Sequence, residues 1–113
     1  MSTTVNTILA SAARTATGTV DLGSLPGEAS ELNVYLDVTV VSGTSPSMTV
    51  TYQSSPDGTA FYDNSAGAAI TATGRQLIKV AANSGKFGRL SYAISGTTPS
   101  FTFSAVVETK KLL

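Results

Sequence analysis

Asp57, Asp63 and Asn64 cluster around the turn signal Pro56-Asp57-Gly58, and oxygen ligands carried on a loop are what a hard cation such as calcium needs. Their spacing lacks the alternating Asp/Asn positions that precede Gly in an EF-hand loop. The same residues read more simply as a β-turn in which the Asp57 side chain bonds nearby backbone. The seven carboxylates could in principle supply an acid–base pair for glycoside hydrolysis, but no spacing holds two of them together. Asp37 falls on the outward side of an alternating segment, and Glu28 and Glu31 flank a turn. Serine is abundant, yet the chain has no G-x-S-x-G elbow and no histidine to activate a hydroxyl; a Ser–Lys pair has nothing in the spacing to support it. Gly85-Lys86 lacks the earlier glycine and the following Ser/Thr of a phosphate loop. Tyr35 and Arg89 could contribute to a stacking platform for a base or a sugar. Tyr52, Phe61, Tyr92, Phe101 and Phe103 mostly fall in phase with apolar neighbours and read as core.

Composition narrows the field further. The 113 residues contain no Cys, His or Trp, which removes disulfides, thiolate chemistry, the commonest zinc ligand and the commonest general base near neutral pH. Neither an enzyme nor a cofactor is expected. Seven basic and seven acidic side chains cancel, so no broad field draws the protein to nucleic acid or to an anionic membrane. Charged residues are only 12% of the chain, about half the usual share, while Ser and Thr exceed a quarter of it. A neutral, hydroxyl-rich surface suits a subunit that packs against neighbours better than a dispersed monomer. The longest apolar stretches are far shorter than the roughly twenty residues that span a bilayer. No Lys or Arg precedes the short apolar part of the N-terminal segment, so it is not expected to act as an export signal.

Periodicity runs at two residues. Val34, Leu36, Val38 and Val40 share one face of a strand, and Met48, Val50 and Tyr52 share one face of the next. Between them, Ser42-Gly-Thr-Ser-Pro-Ser47 carries a Gly and a Pro and predicts a hairpin loop. The same grammar returns as Leu90, Tyr92 and Ile94, then Ser95-Gly-Thr-Thr-Pro-Ser100, then Phe101, Phe103, Ala105 and Val107. Two matching hairpins suggest one from each half of a two-sheet structure. Further strands are expected over Thr7 to Ala13, Thr17 to Leu22, around Phe61 and Tyr62, over Ala68 to Thr73 and over Arg75 to Ala81. A turn is expected at Gly23 to Gly27, and Glu28 to Glu31 could form a single helical turn. The only other helical candidate, Ile8 to Arg14, is short. The expectation is one all-β domain over 1–113, a single antiparallel β-sandwich, Ig-like or jelly-roll-like, of about eight strands with extended termini.

The ends form a separate question. Residues 1–9 carry Val5, Ile8 and Leu9 and read as an N-terminal arm; residues 108–113 form a C-terminal tail ending Lys110-Lys111-Leu112-Leu113. Such ends fray, or else dock their apolar residues on a neighbouring subunit.

The two SGT-x-PS segments, SSPDGTAFYD (Ser54 to Asp63) and FGRLSYAI (Phe87 to Ile94) carry a resemblance that extends from Thr7 to Val107. The chain resembles a group of small β-sandwich structural proteins of tailed bacteriophages, found among head and tail components. Phe61-Tyr62 stands where related sequences often have a Trp. The resemblance implies a virion protein assembled in the host cytoplasm, first of all a capsid decoration or cement subunit. Its partners would then be the major capsid protein and copies of itself. The alternative is a tail-associated or host-adhesion module displaying Thr44 to Ser47 and Thr97 to Ser100. Candidate assembly contacts on either reading are Val5, Ile8, Leu9, Ser45, Pro46, Thr98, Pro99, Lys110, Lys111, Leu112 and Leu113.

Overall fold

The computed structural model describes residues 2–23, 31–80 and 86–111. Its elements are β1 (Ser2–Arg14), β2 (Gly18–Gly23), β3 (Glu31–Ser55), β4 (Tyr62–Ala66), β5 (Gly74–Val80) and β6 (Phe87–Lys111). All six join one antiparallel sheet. The all-β, antiparallel expectation holds; among the described residues the strands number six, not about eight, and the two expected hairpins are absent. The 25-residue strands β3 and β6 run straight through the SGT-x-PS segments, which face each other across one ladder: Ser42 opposes Ser100, Thr44 opposes Thr97 and Ser47 opposes Ser95. Residues Ile8 to Arg14 belong to β1 and are not helical. The strand expected over Ala68 to Thr73 contracts to a bridge between Met48 and Ile70, with N–H to O distances of 2.9 and 2.7 Å. The single turn expected at Glu28 to Glu31 and most of the turn at Gly23 to Gly27 lie outside the described residues, although Glu31 itself opens β3.

A straight strand of this length would reach roughly 80 Å, yet the longest dimension of the molecule is 47 Å. The β3–β6 ribbon therefore folds over. Tyr92 and Phe103 show this within a single strand: eleven residues apart, roughly 36 Å if extended, their rings meet edge to face at 5.6 Å. Gly43 (φ 108°), Ser45 (49°), Gly96 (122°) and Thr98 (45°) all adopt positive φ at the fold line. The ladder shifts register between Ser42 and Thr44 and again between Thr44 and Ser47. Bulges of this kind bend a ribbon and free a proline from its missing ladder donor.

The bend divides the sheet into two halves with matching neighbours. Residues 32–38 of β3 pair with β5 on one side and with β6 on the other, and β6 in turn pairs with β1. In the other half, residues 88–92 of β6 pair with β2 on one side and with β3 on the other, and β3 in turn pairs with β4. The repeated motif thus marks a pseudo-twofold relation in which β3 exchanges with β6.

Folding over encloses one core from both halves: Leu32, Val34, Leu36 and Val38 from one, Met48, Val50, Tyr52 and Leu90 from the other, with Phe101, Phe103, Ala105 and Val107. Burying an aliphatic or aromatic side chain of this size contributes about 1.5–3 kcal/mol. Burial pushes the Tyr52 phenol up to about 12. Arg14 closes the margin of this core, with its guanidinium 4.7 Å from the Phe103 ring centroid. Of the expected aromatic core, Phe61 does not join the cluster; it is half-buried under the guanidinium of Arg89 at 4.2 Å.

A Cβ on Gly43 would lie 2.6 Å from the Thr98 carbonyl oxygen, and one on Gly96 would lie 2.9 Å from that of Ser45. Gly43→Ala and Gly96→Ala should each lower stability in urea unfolding by about 2–4 kcal/mol, through strained φ and displaced backbone. Thr98→Gly should have the opposite sign, raising stability by up to about 1 kcal/mol, because a β-branched residue is strained at positive φ.

Candidate assembly surface

Among the described residues, three of the five exposed large hydrophobics lie on the outer face of the β5–β3–β6–β1 half: Val5 is 62% exposed, Leu77 44% and Tyr35 41%. Register explains their grouping. Leu77 opposes Tyr35, Tyr35 opposes Val106 and Val106 opposes Thr7, giving one row across four strands. The adjacent row is Lys79, Asn33, Glu108 and Val5. Leu77, Tyr35 and Val106 line a shallow groove of about 410 Å³ together with Asp37, Arg75 and Ser104.

Polar side chains hold this face in shape. The Tyr35 hydroxyl donates to Glu108 Oε1 at 2.9 Å, and Asn33 Nδ2 donates to the same oxygen at 3.0 Å. The Asn33 and Tyr35 hydrogen bonds hold the Glu108 carboxyl below its ordinary value, and the bond to Glu108 raises the Tyr35 phenol. Lys110 Nζ lies 3.4 Å from Glu31 Oε1, and Arg75 Nε lies 3.8 Å from Asp37 Oδ1. Both are surface pairs, which typically contribute under about 1 kcal/mol.

The other half presents a different exterior. One row reads Ala66, Thr51, Ser91, Thr19 and the next Asp63, Gln53, Arg89, Asp21. Arg89 Nε donates to Gln53 Oε1 at 2.6 Å, and Gln53 Nε2 donates to Asp63 Oδ1 at 2.7 Å. Tyr35 and Arg89 lie on opposite halves and form no stacking platform. The three candidate cation ligands each accept hydrogen bonds from protein donors. Asp57 Oδ1 accepts from the backbone N–H groups of Thr59 and Ala60 at 2.9 and 3.0 Å and from the Ser55 hydroxyl at 3.0 Å. Among the described residues no three acidic side chains converge. The turn reading of Pro56-Asp57-Gly58 is the one observed, with Gly58 at φ 80°.

The sequence-derived contact residues separate into two groups. Ser45 and Thr98 are exposed, and Pro46 and Pro99 half-buried, at the bend. Val5 and Lys110 sit near the other end of the first half, about ten residues along β3, roughly 33 Å of strand. The expected arm and tail are strands there, laddered together from Ser2 opposite Lys111 to Thr7 opposite Val106. Ile8 and Leu9 pack against the core. Leu112 and Leu113 lie outside the described residues, and of Lys111 only the backbone is described. Sequence reading missed Leu77, Tyr35 and Val106 as a surface; the signal was available as apolar residues on the outward phase of strands whose inward phase was already apolar.

Neither a protein-family model nor a curated protein matches the sequence. Among solved structures, the chain is similar to the PBSX exported protein XepA, with TM-score 0.71 and 13% identity over 97% of this chain and 38% of that one. It thus spans 38% of XepA's length. It is also similar to PirA, with TM-score 0.54 and 13% identity over 92% and 90% of the two chains. A third likeness is to a chain of the Bacillus endospore appendages, a family of disulfide-linked pili, with TM-score 0.54 and 11% identity over 99% and 93%. At these identities the likeness is one of fold.

Carboxylates held below their ordinary values contribute stability that is full above the unfolded pKa and is lost as pH falls through the folded one. Asp57 and Glu108 are both lowered, by backbone donors and by Asn33 with Tyr35 respectively. Thermal unfolding followed from pH 6 down to about pH 3 should show a shallower acid decline in Asp57→Asn and Glu108→Gln than in the parent.

Proposed function

We propose that this protein is a structural virion subunit, a capsid decoration or cement protein that binds the phage head lattice and stabilises it. The observation that carries the reading is the division of the exterior: exposed Val5, Tyr35 and Leu77 group on the outer face of the β5–β3–β6–β1 half, while the outward rows of the other half are mostly hydroxyl, amide and charged side chains. The bent sheet acts as a compact β-sandwich body, with the Leu77–Tyr35–Val106 face against the major capsid protein and the hydroxyl-rich half turned outward. A neutral chain without cysteine or histidine fits a binding role without catalysis, cofactor, nucleic acid or membrane.

The mechanism follows from multiplicity. Single contacts on a patch of this size are weak, but a subunit that bridges neighbouring capsomers, and also touches copies of itself, releases only when all contacts break together. The Glu108 bonds to Asn33 and Tyr35 fix the face before docking and reduce the ordering cost on binding. The fold likeness to a pilus chain supports the use of this fold as a structural body. Unlike disulfide-linked pili, a chain with no cysteine holds its neighbours without disulfides.

A second reading, a tail-associated or host-adhesion module, is favoured by the exposed bend, where Ser45 and Thr98 stand together at one end of the body. Co-sedimentation with undecorated heads separates the two. Leu77→Asp and Tyr35→Ser, at exposed positions where folding should be preserved, are expected to weaken head binding at least tenfold, while Ser45→Asp and Thr98→Asp bind as the parent does. Loss confined to the bend variants, or no binding by the parent, would overturn the decoration reading.

A further inference from the structure

The free edges of the sheet are not alike. β2 is six residues long with Asp21 in its middle, β4 is five residues with Asp63, and β5 is seven residues with Arg75 and Lys79. Short length and charge are the usual means by which proteins stop a sheet edge from pairing with another chain. β1 has neither protection. It runs for 13 residues and meets its first charge only at Arg14. It pairs with β6 on one side, and among the described residues no strand lies on the other.

The two ends of β1 differ. Toward its C-terminal end the register shifts twice, between Thr7 and Leu9 and between Leu9 and Ala12. There Arg14 reaches back, with Nη2 donating to the Ala10 carbonyl and Nη1 to the Ala12 carbonyl, both at 3.0 Å. That end is bulged and its carbonyls are partly occupied. Residues 2–7 keep an unbroken ladder with β6, and carry no charge and no proline.

We infer that residues 2–7 of β1 pair antiparallel with the same segment of a second copy, centred on Val5. Antiparallel self-pairing must oppose residues of one face, so the two numbers in each pair sum to an even value. Centring on Val5 sets Val5 against Val5 of the second copy, Thr3 against Thr7 and Thr4 against Asn6. Each match is chemically apt. Val5 is the most exposed aliphatic side chain on the outer face, and a β-branched pair across strands is favourable. Thr–Thr pairs are also favourable. Asn6 Nδ2 is buried without a hydrogen-bond partner in the single chain, and a Thr4 hydroxyl opposite it supplies an acceptor. A neutral segment meets itself without like-charge repulsion, which a segment like that of β5 would not. The pairing would also bring the apolar outer faces of two copies side by side.

This deepens the self-association part of the decoration reading and is tested without any capsid. Because the chain has no cysteine, single substitutions report register directly. Paired Cβ atoms about 4.5–5.5 Å apart lie close enough for a disulfide after small adjustment. Under mild oxidation, Val5→Cys should form a covalent dimer at least tenfold faster than Thr19→Cys on the β2 edge. Thr3→Cys and Thr7→Cys should cross-link in a mixture and far more slowly alone. Sedimentation of the cysteine-free parent should show a reversible dimer. A parent that stays monomeric at about 100 μM, or equal cross-linking rates at all four positions, would overturn the pairing. Head binding by a monomeric parent would leave the decoration reading standing.

Discussion

Everything in this molecule depends on two backbones approaching each other at a point where neither can carry a side chain. At the bend, the Thr98 carbonyl and Pro99 occupy the space beside Gly43, and the Ser45 carbonyl and Pro46 occupy the equivalent space beside Gly96. The reciprocity lets two 25-residue strands turn together without breaking their ladder. The alternatives are costly: a flat ribbon of this length would leave its apolar face in water, and two separate hairpins would lose the cross-bend pairs. Once the bend is made, Tyr92 reaches Phe103, Arg14 closes over the ring, and inward residues from both halves become one core. The bend therefore converts a long β-ribbon into a compact body.

The pseudo-twofold relation built into that bend is broken on the surface. Equivalent strands present Leu77, Tyr35 and Val106 on one half and Thr51, Ser91 and Thr19 on the other. Nothing in the core requires this difference, since inward residues are apolar on both halves. An asymmetric exterior over a nearly symmetric interior is what the proposed function requires, one face for docking and one for solvent. The hydrogen bonds that Tyr35 and Asn33 give Glu108 tie the two rows of the proposed docking face together.

The sequence makes the class of structure legible, because Val34-Leu36-Val38 and Phe101-Phe103-Ala105 alternate without ambiguity. It does not reveal which strand each segment meets. An alternating strand, a Gly/Pro segment and another alternating strand describe a hairpin and a bent through-strand equally well, and only the partner differs: Val40 faces Thr102 across the ladder, not the strand that follows it. The near identity of SGTSPS and SGTTPS was the available clue, since two copies related by a twofold across an antiparallel ladder must oppose each other. The candidate surface was harder to read. The outward phase of residues such as Leu77 is readable within their own strand, but their grouping into one face follows from register between strands, which no local pattern reports. The ends misled for a related reason: Val5 and Lys110 sit on strands laddered across more than a hundred residues of chain.

The central claim is that the Leu77–Tyr35–Val106 face holds this protein to a capsid lattice. Cryo-electron microscopy of assembled particles, at a resolution that orients the domain, tests it most directly. The expected result is density over the capsid faces, with that face against the shell and the Thr51–Ser91 side toward solvent. Density confined to the tail, or a subunit docked through its hydroxyl-rich half, would contradict it.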